Sequence, residues 1–159
     1  MPDNGRRHDL WQRHGAEELM TPYNKPLPAE NVETKPFWDA CRQGKLSMQR
    51  CKQCGHHRFP PTFYCPKCNS PEHEWIDSKG LGSVFSWIVV RHPVPRDVYA
   101  ADVPYVVALI ALDEGVRIPS NIVGVEPEKV TAGMRVRVIF RQVTPEITLP
   151  LFEPVPEQQ

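Results

Sequence analysis

Cys51-x2-Cys54 and Cys65-x2-Cys68 hold four of the five cysteines in a chain of 159 residues, all within the stretch "CKQCGHHRFPPTFYCPKC". A two-residue spacer lets both sulfurs of a pair enter one tight turn. Two such hooks ten residues apart can face each other and close a tetrahedral shell of four sulfurs around one ion. Gly55 and Asn69 follow the hooks as residues that tolerate a left-handed backbone, which lets backbone N–H groups point at the thiolates. Disulfides are the competing use, but nothing marks the chain as secreted, and metal binding is the expectation. Zinc suits four thiolates; iron is the runner-up, because rubredoxin-type sites use the same ligands. A full sulfur shell leaves no position for water or substrate, so its role is structural. A segment of about thirty residues buries too little apolar surface to fold alone, and the ion supplies the missing stability. His56 and His57 read as exposed residues of the first hook, and Cys41 as an idle or buried thiol.

Nineteen basic and nineteen acidic residues leave no net charge, which disfavours a polyanion as default partner. No apolar run approaches membrane-spanning length, and "MPDNGRRHDLWQRHGAEELM" lacks the apolar core of a leader, so a cytoplasmic chain is expected. The 18 prolines exceed the usual share of about five per cent and cluster where segments meet.

Five regions are expected: an arm over 1–33, a helix over 34–47, a metal ribbon over 48–74, a barrel over 75–153 and a tail over 154–159. In the arm a short helix is expected over Asp9–Met20, with Trp11 available to a partner or folded back on its own domain. In "TKPFWDACRQGKL" Thr34 is the expected cap, Pro36 fits the first turn, Phe37, Ala40 and Cys41 share a stripe, and Gly44 ends the helix. Phe37 and Trp38 are candidates for an interface, although packing on the ribbon is the commoner fate of such aromatics.

From about Trp75 the composition turns to β-branched runs broken by Gly and Pro. "GSVFSWIVVRH", "PYVVALIAL", "VRIPSNIVG", "GMRVRVIFRQV" and "ITLPLFEP" read as five strands, with a turn at Asp113-Glu114-Gly115 and one long early loop, "HPVPRDVYAADV". Five strands suffice for an OB-like barrel; an open antiparallel sheet writes a similar pattern. Pro119 lacks a ladder donor, placing its strand at an edge or bulge. In the fourth strand Met134, Val136, Val138 and Phe140 face one way, and Arg135, Arg137, Ile139 and Arg141 the other. Arginines commonly cover an exposed strand; the functional alternative is an anion-binding stripe for phosphates, whether of a nucleotide-bearing thioester carrier or of nucleic acid. His92 and Tyr99 in the long loop are further interface candidates. With Asp97 and Asp102 they form the only set from which an enzyme in its own right could be argued, and no paired acid and base stand out among them.

In order along the chain, "PFWDACRQGKL", "QRCKQCGHHRFPPTFYCPKC", "GLGSVFSWIVV", "PYVVALIALDEGVRI", "GMRVRVIF" and "LPLFEP" resemble the zinc-ribbon plus OB-fold proteins associated with acyl-CoA metabolism. The resemblance covers roughly 36 to 152. It implies a helical segment, a rubredoxin-like ribbon and an OB barrel, with the metal held by Cys51, Cys54, Cys65 and Cys68. It also implies an accessory, non-catalytic subunit in a hetero-oligomer, most often with a thiolase-like enzyme, otherwise with a hydratase or aldolase acting on CoA thioesters. Such subunits stabilise the complex and help shape the acyl-CoA channel. The tryptophan-bearing N-terminus and the proline in "RIPSNIVG" depart from the family pattern. A nucleic-acid-binding OB module is the alternative, weakened by zero net charge and by Ile139 where a stacking aromatic would serve.

Overall fold

A computed structural model of the chain describes residues 23–156. The expected helix over Asp9–Met20, with Trp11, lies outside the described residues. The architecture is mainly β, with a short helix leading into a three-stranded ribbon and a closed five-stranded barrel.

Helix α1, Lys35–Arg42, buries Phe37 and Cys41, which lie four residues apart on its inner face. Thr34 occupies the N-cap position but does not cap with its side chain. Its Oγ1 instead accepts from the Asn31 N–H at 3.0 Å, while Asn31 Oδ1 accepts from the Thr34 N–H at 2.8 Å. Local pairing of these two residues has outcompeted the cap.

The ribbon sheet has the order β2-β1-β3, formed by β1 (Ser47–Cys51), β2 (His57–Arg58) and β3 (His73–Asp77). Strand β3 pairs with β1 from Cys51↔His73 to Ser47↔Asp77. By pairing, the whole of β3 through Asp77 belongs to the ribbon sheet.

The barrel closes in the order β4-β5-β6-β8-β7, from β4 (Leu81–Val90), β5 (Tyr105–Leu112), β6 (Arg117–Ile122), β7 (Arg135–Gln142) and β8 (Thr148–Pro154). The five expected strands are all present, and the open-sheet alternative is excluded by closure. Strand β5 alternates strictly, with Val106, Ala108, Ile110 and Leu112 buried. These side chains meet Val84, Ile118, Ile122, Val136 and Phe152 in the core. Strand β6 meets β8 only at Ile122↔Phe152, so exposed Pro119 sits where the β8 side carries no backbone ladder. The early loop folds into a one-turn helix, α2 (Arg96–Tyr99).

Ribbon and barrel share one apolar cluster, in which Phe37, Leu46 and Met48 join the barrel residues. They are also tied at the β5–β6 turn. Glu114 Oε2 accepts from Ser78 Oγ at 3.0 Å, its Oε1 accepts from the Lys79 N–H at 2.8 Å, and His57 Nδ1 donates to the Glu114 carbonyl at 2.9 Å. Among the described residues, no helix is long and apolar enough to cross a membrane.

Candidate metal centre

The two hooks fold as copies of one turn. In the first, the Gly55 N–H donates to the Cys51 carbonyl at 2.9 Å and the Cys51 N–H to the His56 carbonyl at 2.9 Å. In the second, Asn69 and Cys65 repeat this, the Asn69 N–H reaching the Cys65 carbonyl at 2.8 Å and the Cys65 N–H the Ser70 carbonyl at 2.9 Å. Gly55 (φ 72°) and Asn69 (φ 58°) supply the left-handed residue at matching positions, as their identities suggested.

The four Sγ atoms lie within 4.8 Å of one another, with Cys51–Cys68 at 3.5 Å and Cys54–Cys65 at 3.6 Å. A tetrahedron with metal–sulfur bonds of about 2.3 Å has sulfur–sulfur edges of about 3.8 Å, so the thiols stand where a four-sulfur shell needs them. Cys51 and Cys65 are 1% exposed, whereas Cys54 faces solvent.

Local electrostatics agree with this use. The Cys54 N–H lowers the Cys51 thiol pKa against the opposing effect of burial. Burial works against ionisation of Cys65, but the Cys68 and Lys67 N–H groups with the neighbouring thiols outweigh it and bring that thiol down to about 6. At Cys68 the Ser70 N–H lowers the pKa, but burial and hydrogen bonds with the other three thiols hold the proton on and push it up to about 12. Four sulfurs this close become thiolates together only when a cation compensates them. Cys41, fully enclosed, is pushed up to about 12 by burial and stays a neutral core thiol.

The remaining candidates are dispersed. Phe37 is 4% exposed, its ring packed on Trp38 and Phe59, so it presents no face to a partner. Trp38 is partly buried against the core. His92 is exposed, and Tyr99 stacks at 6.2 Å on Tyr105. Asp102 is held by Lys25 at 2.9 Å. On β7, Arg135 forms a two-pronged pair with Asp113 at 2.8 Å, and Arg137 bonds Glu153 at 2.7 Å. Arg141 alone of the three has no carboxylate partner among the described residues.

One surface was not anticipated. Ile88 opposes Val107 and Leu109 opposes Pro119, so the outer face of β4-β5-β6 carries an apolar centre, bordered by Ser83, Ser86, Arg117 and Asn121. Phe85 and Ile88 there are 49% and 62% exposed, with the Arg117 guanidinium 3.7 Å from the Phe85 ring centre. "YVVALIAL", apolar at every position, was the available signal: such a run belongs to a strand covered on both faces.

Comparison with known proteins matches 38–74 to the ChsH2 rubredoxin-like zinc ribbon domain and 75–141 to the ChsH2 C-terminal OB-fold domain. The chain is 40% identical over 136 residues to a probable enoyl-CoA hydratase alpha subunit of Thermomonospora curvata, covering 85% of this chain and 42% of that protein. It thus spans less than half of that relative's length. It is 35% identical over 117 residues to a DUF35 domain-containing scaffold protein of Methanothermobacter thermautotrophicus, 72% of this chain and 86% of that one. Among solved structures, one titled Ltp2-ChsH2(DUF35) aldolase superposes with a TM-score of 0.74 at 40% identity, over 80% of this chain and 98% of its own. A metal-ready ribbon on a closed OB barrel, matched over both parts, shows that this chain belongs to the ChsH2 and DUF35 family.

Proposed function

We propose that this chain is a non-catalytic subunit of an enzyme complex acting on CoA thioesters, in which zinc held by Cys51, Cys54, Cys65 and Cys68 rigidifies the ribbon. The observation that carries the reading is the apolar outer face of β4-β5-β6. An isolated domain seldom leaves exposed Phe85, Ile88 and Pro119 beside half-buried Val107 and Leu109 on one sheet face. Relatives named as a hydratase alpha subunit and as part of an aldolase support a partner of that chemistry. A thiolase-like fold for the partner, and acyl-CoA contact through Arg141, rest on the sequence resemblance and on that arginine's having no carboxylate partner among the described residues. Zinc in the shell would supply folding energy and leave the chemistry to the partner.

The nucleic-acid reading loses support, since Arg135 and Arg137 are engaged by Asp113 and Glu153. The test is purification from the native source with wild-type chain and with Phe85→Asp/Ile88→Asp. The wild type is expected to bring a CoA-thioester enzyme whose activity falls when the chain is omitted, and the variant to lose it while keeping its circular dichroism. A partner equally active and stable alone overturns the reading.

A further inference from the structure

Between the segment leading into α1 and the ribbon sheet lies a pocket of ≈ 170 Å³, its walls including Val32, Glu33, Phe63 and Trp75, with Gln49 among its lining residues. Gln49 is 2% exposed, and its amide orientation is fixed. Its Oε1 accepts from Arg58 Nε at 2.6 Å and from the Thr62 N–H at 3.0 Å. Both are obligate donors, so the oxygen must face them and the NH2 end is the free part of the side chain. Among the described residues nothing accepts from that NH2.

Behind Gln49 stands an uncompensated charge. Arg58 is 4% exposed; its Nη2 donates to the Thr62 carbonyl at 2.9 Å and its buried Nη1 has no partner. With no carboxylate on this guanidinium among the described residues, its field polarises the Gln49 amide and strengthens the NH2 as a donor. That NH2 is not enclosed, since Arg58 Nη1 is the one buried side-chain polar atom without a partner among the described residues; it opens on the pocket, where a group that brings an acceptor gains a hydrogen bond.

Size decides what kind of group enters. Pockets for cofactors and substrates run to about 300–1,000 Å³, and a water takes about 30 Å³, so ≈ 170 Å³ suits a single side chain. Outside the mouth, Val32 is 83% exposed, Phe63 57% and the adjacent Tyr64 60%. A small molecule filling the pocket would leave these uncovered, whereas a polypeptide crossing the mouth would cover them.

We propose that this pocket receives one carboxamide side chain, Gln or Asn, from a partner polypeptide, its carbonyl oxygen accepting from Gln49 Nε2 between Trp75 and Phe63. A carboxylate would meet the charge of Glu33, while an aliphatic side chain would leave the Gln49 donor unmet. The proposal rests on the reading of this chain as a subunit.

The test uses the full zinc-loaded chain labelled with nitrogen-15 and titrated with N-acetylglutamine methylamide, with the glutamate and leucine analogues as controls. The Gln49 side-chain NH2 and Trp75 indole resonances are expected to shift and saturate with a dissociation constant of order 1 mM, and to respond several-fold less to either control. Gln49→Glu preserves size and gives Arg58 a carboxylate, so the fold is retained while the donor is lost; the Trp75 shift should vanish. A flat titration, an equal response to the leucine analogue, or an unchanged response in Gln49→Glu overturns the proposal. A flat titration leaves co-purification of a partner untouched, so its failure and that of the subunit reading are measured separately.

Discussion

Each sulfur of the shell is placed by a turn that works only if its neighbours coordinate the same ion. Cys65→Ser is therefore expected to abolish stoichiometric metal content and melt the ribbon, because structural zinc contributes on the order of 10 kcal/mol to such units; elemental analysis and near-ultraviolet circular dichroism check this. Asp113 is a weaker case. Hydrogen bonds from Arg135 hold its carboxyl below the usual range in the folded protein. Because the folded value lies below the unfolded one, the contribution is full at neutral pH and is lost as pH falls below about 4. Both groups are about half exposed, so a double-mutant cycle with Asp113→Asn and Arg135→Gln should give a coupling below about 1 kcal/mol at pH 7 that shrinks progressively as pH falls below about 4. The cysteine spacing was legible because four ligands of one ion must recur at fixed intervals. Gln49 and Arg58 were not, since nothing local distinguishes a buried arginine from the exposed arginines at Arg50 and Arg135.

Strand periodicity carried as far as packing imposed it. Strands β4 to β8 were readable because each is six residues or longer, largely apolar and bounded by turn residues. The ribbon strands "SMQRC", "HR" and "HEWID" are two to five residues long and mostly polar, too short to show a period. Where three strands converge, Gly82 pairs with Leu112 on one side and Val136 on the other. A Cβ there would lie 2.6 Å from the Ala111 carbonyl oxygen and 3.0 Å from Ile110 Cγ2. Gly82→Ala should cost about 1–3 kcal/mol and lower Tm by about 3–10 °C, as calorimetry would show. The outer face of β5 is hidden in the sequence for a related reason: β7 alternates cleanly, whereas β5 shows no alternation because neither of its faces is polar.

The molecule as a whole is two small sheets with one core between them. Removing metal with a chelator is expected to lower the unfolding temperature of the barrel as well as to melt the ribbon, because Phe37, Leu46 and Met48 belong to both. Glu114→Ala should reduce that effect, since the carboxylate fastens Ser78 and the Lys79 N–H to the β5–β6 turn. Hydrogen exchange of the β5 and β6 amides, followed with and without chelator in both proteins, measures the difference. Through that fastening, capture of an ion at one extremity registers as stiffness in a hairpin that holds no ligand. On the proposed subunit reading, a chain joined this way brings a preformed outer face of β4-β5-β6 to its partner, a template rather than a surface shaped by contact.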